Sequence, residues 1–313
     1  MKRVSSWLRP LVRHLAPRQL APRREDPVAR CERVAAALGE LARSGEPEED
    51  GVEPPIFLLA SGWRTGSTLL QRILMTDRRL LLWGEPLGRM ALLRRIADML
   101  CGISSAWPPR EYWIDQRPHE SDLTTEWIAN LFPPAGDLHA GLRRLFDRWL
   151  RFPAQALGYE RWGFKEVRLG LAEALVLRWL YPNSHIVALV RHPAAAYRSM
   201  KGAAEGWWLY ARWPDERIDC VTTFARHWER LAASWATTRE DLPTTVVRYE
   251  TLTAPGYDFA ALSRSLGLKL DPSHALEARV GGTSAPTLSR LERVILRRET
   301  RQGRARFRYE ESE

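Results

Sequence analysis

The chain has 313 residues, of which 45% are hydrophobic and 27% charged, the balance of a soluble globular protein with a sizeable core. Forty-seven basic residues against 38 acidic give a net charge of +9, which suits an anionic ligand, nucleic acid or an acidic membrane surface. Cys31, Cys101 and Cys220 are odd in number and widely spaced, which excludes a disulfide framework or a zinc spacing and points to a reduced, cytoplasmic setting. No run of about 18 apolar residues exists, and the N-terminus lacks the apolar stretch of a signal peptide, so neither a transmembrane helix nor export is expected.

Residues 1–50 read as a basic N-terminal extension. Trp7, Leu8, Leu11 and Leu15 are spaced for a short amphipathic helix, so residues 1–25 offer peripheral membrane contact or a loosely ordered arm. A helix is predicted over 28–43, followed by a polar linker up to Pro55. The domain proper, 51–313, opens with Ile56-Phe57-Leu58-Leu59-Ala60, a buried strand bounded by Pro-Pro and Ser-Gly. A loop and a helix over 67–75 follow, then an apolar run at 80–83 that ends in Gly84-Glu85-Pro86. Helices are predicted near 88–101, 121–131 and 139–157, a strand over 163–167 and a helix over 171–180. His185 to Val190 is the clearest buried strand; it ends at Arg191-His192-Pro193 and leads into a helix near 194–203. A long helix near 218–238 precedes a strand over 245–249, and the C-terminus reads as a basic tail. Strands alternating with helices predict an α/β fold, a parallel sheet with helices on both faces.

The first strand runs into Ser61-Gly62-Trp63-Arg64-Thr65-Gly66-Ser67-Thr68, a loop that opens a helix. Such a junction turns unpaired N–H groups and the positive end of the helix dipole toward an anion. Against the nucleotide-binding pattern G-x-x-x-x-G-K-[ST], Ser61 takes the first glycine position, Gly66 the second and Thr68 the hydroxyl position. Ser67 stands where the lysine belongs, and the cation sits at Arg64 instead. Loss of that lysine argues against ordinary NTP hydrolysis.

Arg64-Thr65-Gly66-Ser67-Thr68 resembles the 5′-phosphosulfate loop of the sulfotransferases that use 3′-phosphoadenosine 5′-phosphosulfate (PAPS). The likeness is closest to the carbohydrate and tyrosylprotein branches and suits a bacterial member. In that family a later strand ends in Arg, with a Ser eight residues on; Arg191 and Ser199 match this pair. By the resemblance, Arg64, Thr65, Gly66, Ser67 and Thr68 hold the 5′ end of PAPS, and Arg191 and Ser199 hold the 3′-phosphate. The fold implied is the P-loop-type sulfotransferase sheet, over residues 55–290. Val247-Arg248-Tyr249-Glu250-Thr251-Leu252 resembles a further family stretch, read as fixing the sheet edge. Gly281-Gly282-Thr283-Ser284 is either a loop that closes over the nucleotide or a polar turn.

The reaction implied is in-line sulfuryl transfer from PAPS to a hydroxyl acceptor, with no metal required. Glu85, at the end of the second apolar run, is the candidate general base. Lys165, on the middle strand, is the candidate stabiliser of the transferring group; strand alternation puts Glu166 and Arg168 on the opposite face, where they would pair. A His base remains open, with His119 the first to test, while His192 suits helix entry. Fourteen tryptophans include Trp107, Trp113, Trp207, Trp208 and Trp213, in two segments (104–122 and 205–215) that either build an acceptor pocket or fill the core. The acceptor stays open between carbohydrate, glycopeptide, lipid and tyrosine. The rival readings are a P-loop kinase or other phosphotransferase, and a non-catalytic basic module binding nucleotide or nucleic acid. The arginines are not interleaved with aromatics as in a nucleic-acid motif, so nucleic acid is not the expected partner.

Overall fold

The computed structural model describes residues 26–42, 53–117, 124, 130–203, 218–235, 239, 242–277 and 286–309. Residues 1–25, most of the linker before Pro55, most of the helix predicted at 121–131, His119, Trp207, Trp208, Trp213 and the Gly281–Ser284 loop lie outside these described residues.

Five strands form one wholly parallel sheet: β1 (Ile56–Ala60), β2 (Leu80–Gly84), β3 (Arg161–Val167), β4 (His185–Val190) and β5 (Thr244–Arg248). Their spatial order is β2-β3-β1-β4-β5. β1 lies between β3 and β4, with Leu58 opposite both Lys165 and Val187. All five of its residues are buried, which explains an unbroken apolar run rather than an alternating one. Phe57 packs against Phe164 at 4.7 Å and Tyr181 at 5.8 Å between ring centroids, so neighbouring strands and a helix share one aromatic cluster.

The helices are α1 (Pro27–Ala42), α2 (Ser67–Leu74), α3 (Leu92–Leu100), α4 (Ala135–Phe146), α5 (Phe152–Ala156), α6 (Leu171–Leu180), α7 (Pro193–Lys201), α8 (Val221–Trp235), α9 (Tyr249–Leu252), α10 (Phe259–Leu266), α11 (Ser273–Glu277), α12 (Arg290–Glu299) and α13 (Arg301–Arg306). Helix α1 is continuous with the core: Val34, Leu38 and Leu41 join the main apolar cluster. The C-terminal basic stretch is likewise two helices packed on α8, with Leu296 and Gly303 buried. The long helix predicted near 139–157 begins at Ala135 and is widened by a π-helical turn at Asp147–Arg151 between α4 and α5. Pro153 has no N–H to return to the carbonyl four residues back, so the ladder opens just before it. Strand β5 ends one residue earlier than predicted, because Tyr249 already starts α9. No described helix is long and apolar enough to cross a membrane.

Candidate active site

The chemistry-bearing residues gather where the strands end. The loop after β1 stays tied to the sheet, since the Ser61 N–H donates to the Leu189 carbonyl at 2.9 Å. The Thr65 hydroxyl donates to the Gly62 carbonyl at 3.0 Å, closing the loop on itself. Arg64 (φ 61°) and Gly66 (φ 91°) both adopt left-handed backbone. For Arg64 that conformation costs about 1 kcal/mol and is sustained only by its surroundings. Gly66 is required twice over. It needs positive φ, and a Cβ there would lie 2.2 Å from Cδ2 of Tyr249. Gly66 precedes α2 and provides no side-chain cap, so the first N–H groups of the helix stay available to an anion.

The second motif meets the first directly. Arg64 Nε donates to Ser199 Oγ at 3.2 Å, and Arg191 Nη1 donates to the Arg64 carbonyl at 2.8 Å. The Arg191 guanidinium lies over the Tyr249 ring, 4.1 Å from its centroid. Tyr249 therefore does more than fix the sheet edge: it wedges between Gly66 and Arg191. The turn after β4 is held by three bonds. Trp228 Nε1 donates to the Arg191 carbonyl at 2.9 Å, the His192 N–H donates to Glu250 Oε1 at 2.9 Å, and His192 Nδ1 caps α7 by accepting from the Ala194 N–H. Burial pushes the Arg191 guanidinium below its usual range, and Arg64 and Arg198 push the same way while Tyr249 and Glu250 oppose. Arg191 Nε is buried and has no hydrogen-bond partner among the described residues.

Glu85 and Lys165 are brought together by β2 and β3 running side by side. The Glu85 N–H donates to the Lys165 carbonyl at 2.7 Å, and Lys165 Nζ forms an ion pair with Glu85 Oε1. Lys165 is 5% exposed, which removes the reading of a surface lysine. Glu85 has positive φ (50°) and keeps about a third of its side chain exposed, at 34%. The following turn is pinned as well: the Leu87 N–H donates to Glu166 Oε1 at 2.6 Å.

Three further groups surround this site: Glu166 and Arg168, which the sequence suggested only as a mutual pair, and His227, which it gave no role. Glu166 is fully buried, and its Oε2 has no hydrogen-bond partner among the described residues. Burial pushes it up to about 8, with the nearby Glu85 carboxylate adding to the effect and the Leu87 N–H, Lys165 and Arg168 opposing it. Rather than offering its side chain to Glu166 alone, Arg168 donates to the Gly88 carbonyl at 3.2 Å and lies over the Trp63 ring at 4.8 Å. His227, buried inside α8, stacks on Trp63 with centroids 5.6 Å apart. A lone histidine on the buried face of an amphipathic helix gives no motif to find it by. Trp107, Tyr112 and Trp113, in the segment read as either acceptor pocket or core, form one aromatic group with Phe132, which contacts both tryptophans.

A family model described as the sulfotransferase family matches residues 54–272. No curated protein matches the chain. Among solved structures, the sulfotransferase domain from the Synechococcus PCC 7002 olefin synthase is similar at 18% identity and a TM-score of 0.40, covering 85% of this chain and 98% of that one. The family match spans more than half of the sequence, and it includes the loop after β1, the Glu85 turn, β3 and the Arg191–Ser199 pair: the chain belongs to the sulfotransferase family.

Proposed function

We propose that the chain transfers a sulfuryl group from PAPS to a hydroxyl acceptor, with Glu85 as the general base. The observation that carries this reading is the convergence of Arg64, Ser199 and Arg191 at the ends of two neighbouring strands, beside the Glu85–Lys165 pair. The like charges of Arg64 and Arg198 act on Arg191 there, and Arg191 keeps a buried donor without a partner among the described residues. A ligand with phosphate at both ends satisfies these groups, which is what PAPS offers.

In this reading Arg64 and the N-terminus of α2 hold the 5′ end, and Arg191 with Ser199 holds the 3′-phosphate. The Thr65 hydroxyl is spent on shaping the loop, so that residue serves through its N–H; Ser67 and Thr68 open the helix. PAPS supplies a sulfuryl group on a phosphate leaving group. Glu85 takes the proton of the acceptor hydroxyl, and Lys165 sets a fixed positive charge beside it. The acceptor oxygen gains the sulfur as the bond from sulfur to the 5′-phosphate breaks, and 3′-phosphoadenosine 5′-phosphate (PAP) departs with the bonding pair.

Calorimetry tests the reading. PAP should bind without Mg²⁺, and Arg64→Ala or Arg191→Ala should each weaken it at least tenfold. Tight binding of Mg²⁺·ATP with no binding of PAP would favour a kinase instead. Transfer of radiolabel from PAPS into cell-extract components would then identify the acceptor class among carbohydrate, glycopeptide, lipid and tyrosine.

A further inference from the structure

Strand β2 stops at Gly84, and the chain turns away through Glu85-Pro86-Leu87, where the proposed base has to be held. The Glu85 N–H still donates to the backbone of β3, at the Lys165 carbonyl. Pro86 has no N–H to donate. Leu87 has one, and the residue is buried, so that donor needs an acceptor within the protein. By then the turn has left the sheet, and the acceptor is a side chain, Glu166 Oε1 at 2.6 Å. Consecutive residues of β3 thus hold both ends of the turn, Lys165 by its carbonyl and Glu166 by its carboxyl.

These bonds sustain an unfavourable backbone. Glu85 sits at φ 50°, in the left-handed region, which a residue with a Cβ keeps only where its surroundings over-determine it. The Gly88 N–H donates to the Glu85 carbonyl at 3.3 Å and closes the turn on itself. With no acceptor for Leu87, the turn is free to relax toward negative φ, and the direction of the Glu85 side chain changes with it. The carboxylate then loses its place against Lys165 Nζ.

Glu166 itself is fully buried, on the face of β3 opposite Lys165, and cannot touch a substrate. Burial raises it to about 8, so at neutral pH it keeps its proton and sets no second negative charge beside the Glu85 carboxylate. A glutamine there has the same charge and the same acceptor oxygen.

We propose that Glu166 is a positioning residue for sulfuryl transfer: by accepting from the Leu87 N–H it fixes the backbone that sets Glu85 beside Lys165. The proposal rests on the reading of Glu85 as the base. Turnover at saturating PAPS is followed as radiolabel passing into acceptors of a cell extract, and PAP binding by calorimetry. Glu166→Leu deletes the acceptor oxygen and keeps the bulk. It should slow turnover about tenfold or more, with PAP affinity within about threefold of the parent chain. Glu166→Gln should bring turnover back to within about threefold. In a Glu85→Gln chain, Glu166→Leu should cost less than about threefold further, because it acts through a group already removed. Amide exchange reads the same bond without turnover: the Leu87 N–H should exchange about tenfold faster in Glu166→Leu and regain its protection in Glu166→Gln. If Glu166→Leu does not fold, replacing Leu87 with the α-hydroxy acid of leucine deletes the N–H, leaves every side chain, and should slow turnover to the same degree.

A merely structural role predicts PAP affinity that falls along with turnover and losses that multiply in the double variant; either result overturns the proposal. So does a Glu166→Gln chain as slow as Glu166→Leu. The two readings fail in different ways. Glu85→Gln that turns over like the parent sinks the base, and this proposal with it. A slow Glu85→Gln beside an unimpaired Glu166→Leu sinks this proposal alone.

Discussion

Replacing Gly66 with alanine tests the geometry of the phosphate loop at its tightest point. The backbone at φ 91° costs a non-glycine residue about 1–2 kcal/mol. The added methyl would sit 2.2 Å and 2.3 Å from two carbons of the Tyr249 ring, far inside contact distance. Relief requires the ring to move, and overpacking of this kind costs about 1–3 kcal/mol more. The sum, about 2–5 kcal/mol, is a large fraction of the ~5–15 kcal/mol that holds a domain together. Because the displaced ring also lies under Arg191, PAP affinity should fall with stability. The steric part is separable from the backbone part. In a cycle with Tyr249→Ala, the ring is gone and only the backbone cost should remain, so the double variant should recover about 1–3 kcal/mol relative to additivity. Urea unfolding of the four chains, with PAP titrations alongside, measures both. Strict additivity, or a Gly66→Ala chain within ~0.5 kcal/mol of the parent, would refute the argument.

Further outcomes follow from the buried charges. Glu166 is raised in the folded chain, so between its ordinary value of 4.5 and about 8 the unfolded state ionises while the native state keeps its proton. Stability should therefore fall with rising pH across that window, by up to ~1.4 kcal/mol per unit, and Glu166→Gln should flatten the slope in thermal melts taken from pH 5 to 8. A slope that survives the substitution would show that another group is responsible. Glu173 is the opposite case: burial works against its charge, but Arg30 and Arg94 hold it below the usual carboxylate range. Glu173→Gln removes the buried carboxylate from Arg30, which keeps Asp98, and should cost about 1–3 kcal/mol at pH 7, read from the urea midpoint. Glu85→Gln and Lys165→Met should each keep PAP affinity within a few-fold and lower turnover about 10²-fold or more. Turnover unchanged in Glu85→Gln would remove it as the base.

Much of the site was readable because its parts are local. A strand, a Gly-Ser-Thr loop and a helix are contiguous in sequence, and so are Arg191 just past a strand end and Ser199 in the second turn of the helix that follows. What contiguity cannot reveal is which strands lie side by side. β3 is third in the chain yet sits between β2 and β1, and only that insertion sets Lys165 against Glu85. Tyr249 looked like an edge residue because nothing in its own segment refers to Gly66, which lies far away in the chain. Glu166 was placed correctly on the face opposite Lys165, but its partner is a backbone N–H at Leu87, and side-chain pairing rules do not see backbone donors. His227 has no spacing to betray it; its role comes from packing on Trp63.

The hydrogen-bond register between β1 and β4 has a consequence for evolvability. Ala60 pairs with Leu189, and the ladder extends one residue further to Ser61, so the two arms proposed to hold PAPS start from backbone points locked to each other. Their separation is a ruler cut into the sheet. Loops that line an acceptor pocket can change length and sequence without altering that ruler. A slip of one residue between these two strands would turn every side chain over and spoil both arms at once. Under the proposed function, substrate range is thus free to drift while donor choice stays anchored in the hydrogen bonds of the core.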